Sequence, residues 1–290
     1  MRVLITGAHG QLAGELVRRA PAAATVSSVS RVECDITDNL DVERVVGDFY
    51  PDTIINTAAY TAVDLAEDAP EEAFAVNAEG ARNVATAAAS VGARLIHIST
   101  DYVFDGTRTT PYPPAAEPNP VNVYGASKLA GERWVRSADS SSLVIRTGWL
   151  YSARGNNFAR TILVSLQAGR ALRVVDDQVG VPTSARDLAS AIWSCVELPR
   201  LNGIHHWVNG SSATWYEFAV AIREMALDLG IIESAPPPVS VSTSEYGSRA
   251  VRPGYSVLDA SALWTSLGGP PQDWRAALWT TIREVRDEQS

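Results

Sequence analysis

The stretch TGAHGQLAGEL, residues 6–16, constrains this chain more than any other. It follows the apolar run RVLIT (2–6) and opens a helical pattern over 11–19, so it reads as the turn between a strand and a helix. Gly7 and Gly10 can take turn conformations there and let backbone N–H groups approach a pyrophosphate at the helix N-terminus. The third small position is Ala13, where the commonest version of such a loop has glycine; alanine still permits close helix–strand packing. A plain turn also fits a lone glycine loop. Its place between a strand and an amphipathic helix favours dinucleotide binding.

The same alternation continues to about residue 150. ATVSSV (24–29), TIINTA (53–58), RLIHIS (94–99) and LVIRT (143–147) are short, rich in Val, Ile and Thr, and flanked by turn formers, so they read as strands. Helical patterns cover 38–48, 70–90 and 122–137. Strands alternating with helices predict an α/β fold, a Rossmann-type doubly wound parallel sheet with right-handed crossovers. After Trp149 the regularity loosens. Helices are predicted near 157–168, 184–198, 214–229 and 272–287, and strands near 172–175 and 204–208. PPPVS (236–240) reads as a linker and TTPYPPAAEPNP (109–120) as a loop. The expected division is a dinucleotide-binding domain over 1–150 plus about 170–200, with a smaller mixed α/β substrate-binding cap over about 151–169 and 201–290.

A formal charge of −9 argues against nucleic acid as a partner, because phosphate binding needs a basic face. No apolar run approaches the roughly 20 residues of a membrane helix, so no membrane partner is expected. PAAAT (21–25) resembles a cleavage site, but Glu15, Arg18 and Arg19 break the segment before it, which points to the cytoplasm. Cys34 and Cys195 form no metal or disulfide pattern and are expected as buried free thiols.

The end of the second predicted strand bears on the cofactor. An NAD enzyme usually places Asp or Glu there for the ribose 2′-hydroxyl, whereas SVSRVECD (28–35) offers Ser30 and Arg31. Arg31 can pair with a 2′-phosphate, which favours NADPH with NADH as the alternative; an exposed loop arginine fits the residue as well. Asp35, just before Ile36, is placed to reach the adenine amino group.

In VYGASKL (123–129), Tyr124 and Lys128 stand four residues apart, on one face of a helix. An ammonium beside a phenol stabilises tyrosinate, so a lowered Tyr124 pKa and proton transfer near neutral pH are expected. Thr100 lies at the C-terminal end of a predicted parallel strand, where such sheets place ligands.

Together these features resemble the extended short-chain dehydrogenase/reductase superfamily. More narrowly, NTAAYTAVDLAE (56–67), STDYVFDG (99–106), NVYGASKLAGE (122–132), RTGWLY (146–151), GNNFA (155–159), DDQVGVPT (176–183) and RPGYSVLD (252–259) resemble, in order, signatures of the dTDP-4-dehydrorhamnose reductase family. That resemblance covers the whole chain. It implies NADPH- or NADH-dependent reduction of the C4 ketone of a nucleotide-bound deoxysugar, the last step of dTDP-L-rhamnose synthesis. By the resemblance, Tyr124 is the proton donor, Lys128 holds the nicotinamide ribose and tunes Tyr124, and Thr100 hydrogen-bonds the carbonyl. Asp101 holds the sugar, beside Tyr102, and Trp149 covers it. Gly10, Gln11 and Leu12 match the pyrophosphate loop, Asp35 and Ile36 an adenosine contact, and Ala58, Ala59, Tyr60 and Thr61 a stretch lining the cofactor.

Asn156 and Asn157 either contact substrate or shape a loop, and Asn157 is carried forward as a substrate contact. Asn77 reads as a packing residue, Asp176 and Asp177 as a turn, and His205 and His206 as strand residues. Some members of the family are associated with Mg²⁺; Glu15, read as one exposed carboxylate, does not make a site, so no tightly bound metal is expected. The expected assembly is a monomer or homodimer.

Three other readings compete. A nucleotide-sugar 4,6-dehydratase follows its threonine with Asp and then Glu; here Tyr102 follows Asp101 and cannot serve as a carboxylate base. Another 4-ketoreductase or an epimerase shares the fold, and the stretches after 146 argue against the epimerase. A non-catalytic cofactor-binding regulatory subunit would be marked by loss of Tyr, Lys or Thr, and all three are present.

Overall fold

The structure is a computed structural model and describes residues 1–289. Its centre is built from the short Val/Ile-rich runs: β1 (Arg2–Thr6), β2 (Thr25–Val29), β3 (Thr53–Asn56), β4 (Arg94–Thr100) and β5 (Leu143–Thr147). All pair in parallel, and β3 and β5 are buried along their whole length. Strands covered on both faces carry near-continuous apolar runs, such as Ile54–Ile55 in β3 and Leu143–Ile145 in β5. Val3 and Ile5 face helix α1 (Gln11–Arg18) and the helix Ala185–Val196. Leu4 and Val144 face α2 (Asn39–Phe49) and the helix Ala81–Ser90.

A sixth strand, Gly203–His206, pairs with the outer edge of β5 in parallel register, His206 opposite Arg146. The sheet order is therefore Gly203–His206, β5, β4, β3, β1, β2. This differs from the expectation that residues from 201 onward belong to the cap. The strand satisfies backbone groups that β5 would otherwise leave open. The helix Ser261–Ser266 joins it beneath the sheet, with Leu263 in the same core as Val3 and Ile145. Conversely, Arg173–Val175 pairs with Val239–Val241, away from the main sheet. The end of the stretch read as a linker is thus a strand.

Chain order reverses between β1 and β3, because β2 lies on one side of β1 and β3 on the other. Open sheets bind ligands outside the carboxyl ends of their strands at such a point. The helix Val123–Ala138 starts beside it, capped by Asn122, whose Oδ1 accepts from the Gly125 N–H at 2.7 Å. The predicted 70–90 helix is interrupted by a wide turn over Ala75–Gly80. The Asn77 carbonyl there approaches the Tyr124 helix so closely that a Cβ on Gly131 would stand 2.1 Å from it.

The smaller unit gathers helices Phe158–Gln167, Trp215–Asp228 and Trp274–Gln289 around Tyr151, Phe218 and Ile222. Its central helix begins with a reciprocal Thr214–Glu217 capping box. Cys34 and Cys195 are free and buried, and burial pushes their thiols up to about 11 and about 12. Among the described residues, no helix is long and apolar enough to cross a membrane.

Candidate active site

A cleft of about 830 Å³ opens at the carboxyl ends of the strands, and every residue singled out above as a site residue lines it. Gly7 begins the loop with φ 80°, and a Cβ there would stand 2.9 Å from Ala58 Cα and N. Only glycine fits that turn without strain. The Gly7 and Ala8 N–H groups donate to the Val29 carbonyl, and Gly10 N–H to Gly7 O, which brings the loop round to start α1 at Gln11. The first N–H groups of α1 and its positive dipole end face the cleft, the donor set a pyrophosphate requires. The residues present therefore fit a dinucleotide.

Beyond β2, Ser30 donates its N–H and hydroxyl to the Glu33 carboxylate at 2.8 and 2.7 Å. Arg31 is exposed, and its Nε donates to Asp35 at 3.2 Å. Asp35 also accepts from the N–H and hydroxyl of Thr37. Ile36 packs against Gly80. Asn77 brackets Tyr60, accepting its N–H at 2.8 Å and donating to its carbonyl at 3.0 Å. It also donates to the Ser127 hydroxyl at 2.9 Å, which ties the Ala58–Thr61 stretch to the Tyr124 helix.

Tyr124 and Lys128 lie one turn apart on that helix. The Lys128 ammonium is buried, 2 % exposed, and donates to the Ile98 carbonyl at 2.6 Å. Burial pushes it down to about 8, against the pull of Glu132. Tyr124 and Thr100 line the same cleft. Burial pushes the Tyr124 phenol up to about 12, opposed by Thr100 and reinforced by Asp101. This reverses the lowering expected from the Tyr–Lys spacing. Desolvation of a phenolate outweighs a cation already committed to a backbone carbonyl. A neutral phenol is the form that can donate a proton.

Thr100 ends β4 and caps the short turn Asp101–Val103. Its Oγ1 accepts from Tyr102 N–H at 3.1 Å and donates to Asp101 Oδ1 at 3.0 Å. Asp101 is 3 % exposed, and burial pushes its carboxyl up to about 6 against bonds from Ser256 and Thr100. Gly148 makes room for it, since a Cβ there would stand 2.6 Å from the carboxylate. The Tyr102 ring meets Tyr124 edge-on, 5.9 Å between centres, and burial pushes its phenol up, opposed by Arg252. Arg252 in turn grips Asp64 with two bonds of 3.0 and 2.8 Å.

Trp149 takes a left-handed backbone conformation, φ 50°, and stacks on Trp215 with 3.5 Å between centres and 6° between planes. Gly180 supports the Trp149 indole, and a Cβ there would lie 2.3 Å from it. Phe158 leans on Trp215 at 4.6 Å and extends the aromatic wall. Asn157 lines the cleft with its amide already used. Its Oδ1 accepts from Arg160 N–H, and its Nδ2 donates to the carbonyls of Ser152 and Arg154. Among the residues that sequence alone did not single out as site residues are Trp215, Phe158 and Arg252. Phe158 falls within the GNNFA stretch and Arg252 within RPGYSVLD, whereas no stretch signalled Trp215.

Beneath the site lies a buried ion pair, Arg146 Nε and Nη2 donating to Glu132 at 2.9 and 2.7 Å, with the Ser99 hydroxyl also on Glu132. Glu15 is not the exposed carboxylate expected. It is 1 % exposed and paired with Arg18 at 2.6 Å and Arg19 at 3.5 Å, because its helix face turns toward the sheet. Among the described residues, no group of three or more His, Cys, Asp or Glu side chains is arranged to hold a metal. Asp176 and Asp177 point apart, the first to Thr214 and Ser240, the second to Thr243. His206 is buried in its strand, and burial pushes it down to about 3.

The chain is similar to known proteins along nearly its whole length. The family described as RmlD substrate binding domain matches residues 1–287. A dTDP-4-dehydrorhamnose reductase of Mycolicibacterium smegmatis is 41% identical over 288 residues, covering 98% of this chain and 86% of the relative. The spore coat polysaccharide biosynthesis protein SpsK of Bacillus subtilis is 39% identical over 98% of this chain and 97% of its own. The crystal structure of dTDP-4-dehydrorhamnose reductase from Bacillus anthracis, in complex with NADP, matches with a TM-score of 0.92 and 38% identity, covering 98% of this chain and 99% of that one. The fold, the glycine loop and these full-length matches agree, and the chain belongs to the RmlD substrate binding domain family.

Proposed function

We infer that this chain is an NADP-dependent oxidoreductase that reduces the C4 ketone of dTDP-4-dehydro-6-deoxy-L-mannose, giving dTDP-L-rhamnose in the last step of its synthesis. The observation that carries the reading is Thr100, Tyr124 and Lys128 lining one cleft that begins at a dinucleotide loop. When bound, NADPH supplies the hydride. Tyr124, kept protonated by burial, gives its proton to the oxygen at C4 as the carbonyl becomes an alcohol. Thr100 aligns that oxygen with Tyr124, and Lys128 holds the cofactor's ribose and steadies the charge on Tyr124 after transfer. Asp101 and the Trp149–Trp215 wall enclose the sugar. Fixing ketone and cofactor in contact supplies much of the acceleration. Elimination of water would need a carboxylate where Tyr102 stands, and that ring instead packs on Tyr124.

NADPH is the preferred cofactor on this reading, because Arg31, though paired with Asp35, is exposed at the ribose end of the cleft where a 2′-phosphate would meet it. Arg31→Ala is expected to raise KM for NADPH while leaving that for NADH unchanged. We place the reaction in the cytoplasm, in keeping with two free thiols.

The test is to incubate the protein with the dTDP-4-keto-6-deoxy sugar, a 3,5-epimerase and NADPH, following nicotinamide absorbance. Oxidation that depends on the epimerase supports the reading. No oxidation overturns it in favour of a silent cofactor-binding protein, and epimerase-independent oxidation assigns a different stereoisomer. Tyr124→Phe should bind NADPH normally and lose most turnover.

A further inference from the structure

The helix Val123–Ala138 carries a third polar residue on the face of Tyr124 and Lys128. It is Glu132, one turn beyond Lys128, and the mechanism does not use it. Along this face the helix is stitched to β4 one residue at a time. The Lys128 ammonium donates to the Ile98 carbonyl, and the hydroxyl of the next residue, Ser99, donates to Glu132 Oε1. The residue after that is Thr100, the last of the strand. From β5, Arg146 closes on the same carboxylate with Nε at 2.9 Å and Nη2 at 2.7 Å, in register with Ser99 across the sheet. The Arg146 guanidinium also covers the Phe104 ring at 5.1 Å, and Phe104 ends the turn that follows Thr100.

Ser99, Glu132 and Arg146 are all buried. Two charges in such a place add little to stability, because desolvation offsets their attraction and apolar residues of the same volume would hold the fold as well. Their setting supplies another reason for them. Lys128 is the sole lysine of the chain, and its part in the reaction needs it charged while buried. We propose that Glu132 is a positioning residue for the reaction: bonded by Ser99 and gripped by Arg146, it locks the helix of Tyr124 and Lys128 to the strand that ends in Thr100, and its negative charge holds Lys128 as an ammonium.

Burial pushes Lys128 down to about 8 and Glu132 opposes that push, so the ammonium persists at neutral pH by a narrow margin. The other titratable groups around Lys128 are Tyr124 on its own helix, His97 on β4, and Asp101 and Tyr102 on the turn after β4. Burial keeps His97 neutral by pushing it well below its ordinary value, and it raises both phenols. Asp101 is pushed up to about 6 and titrates on the acid side. From the segments laid against the helix, Glu72 lines the cleft, Asp64 is paired with Arg252, and Glu79 with Arg82. The basic limb of the rate profile near 8 therefore belongs to Lys128.

This role rests on the reductase reading, and the experiment separates the two. Glu132→Gln, Ser99→Ala and a double variant, Glu132→Met with Arg146→Met, would be compared with wild type for kcat across pH and for thermal midpoint. Isotope-labelled lysine gives a single side-chain NMR signal, so the Lys128 titration is read directly and without substrate. Glu132→Gln should move that titration and the basic limb of kcat together to lower pH. Ser99→Ala keeps the ion pair, so it should leave the titration in place and lower kcat about fivefold, the worth of one hydrogen bond. The double variant should recover the thermal midpoint lost in Glu132→Gln, yet its titration and basic limb should stay at lower pH. A pair that only holds the fold together predicts the opposite. A double variant that regains the wild-type titration and kcat along with its stability overturns the proposal, and so does full turnover in Ser99→Ala. An inactive wild type whose Lys128 titration still falls in the double variant overturns the reductase reading alone.

Discussion

The indoles of Trp149 and Trp215 lie flat on each other, 3.5 Å between centres, and join the loop leaving β5 to the first turn of a helix in the smaller unit. The pair closes one wall of the sugar end of the cleft. Trp215→Ala should raise KM for the ketosugar about tenfold, because a stacked pair and its buried area are both lost. NADPH affinity should not change. Steady-state kinetics with each ligand varied in turn checks the split.

Two glycine variants divide the cleft in the opposite senses. Gly7→Ala forces a side chain against Ala58 at a positive φ, so it should cost more than tenfold in NADPH affinity. Gly180→Ala would displace the Trp149 ring and raise KM for the sugar while sparing the cofactor. Fluorescence titration of NADPH with both variants separates the outcomes.

The Glu132–Arg146 pair is 2 % exposed on each side, so neither charge can turn to water once the other is removed. Glu132→Ala should cost about 3–5 kcal/mol in urea unfolding. Replacing both residues by apolar ones of similar size should recover much of that loss.

Lys128 makes the protein's stability depend on pH. Below about 8 the ammonium is charged in both folded and unfolded chains, and the penalty for burying it is in full force. Between about 8 and 10.5 the folded chain gives up the proton first, the unfolded chain binds more, and stability rises with pH. The raised thiols and phenols oppose this rise in the same range. The difference between wild type and Lys128→Met isolates it. The stabilising effect of that substitution should be about 2–3 kcal/mol at pH 7 and shrink toward pH 10.

Local pattern made the five central strands legible, because each is a short run rich in Val, Ile or Leu bounded by turn formers. It also revealed Tyr124 and Lys128, whose spacing of four is a property of one helix. Sequence did not reveal the desolvation that sets the Tyr124 pKa, since burial depends on what packs above it. Gly203–His206 was misassigned for a related reason. Its two histidines carry no apolar signal, and its membership in the sheet is decided by the free edge of β5. Val239–Val241 was hidden by the prolines before it and by a partner strand far back in the chain. Trp215 and Arg252 looked like ordinary residues of a helix start and a turn, and only tertiary packing brings them to Trp149 and Tyr102.

The edge strand Gly203–His206 also bears on how the protein is made. A growing chain that has passed β5 carries the glycine loop, Thr100, Tyr124 and Lys128, yet the outer edge of β5 in its sheet is still open. Such borders invite pairing with neighbouring chains on a crowded ribosome. That border of β5 is covered only when residue 206 reaches the sheet.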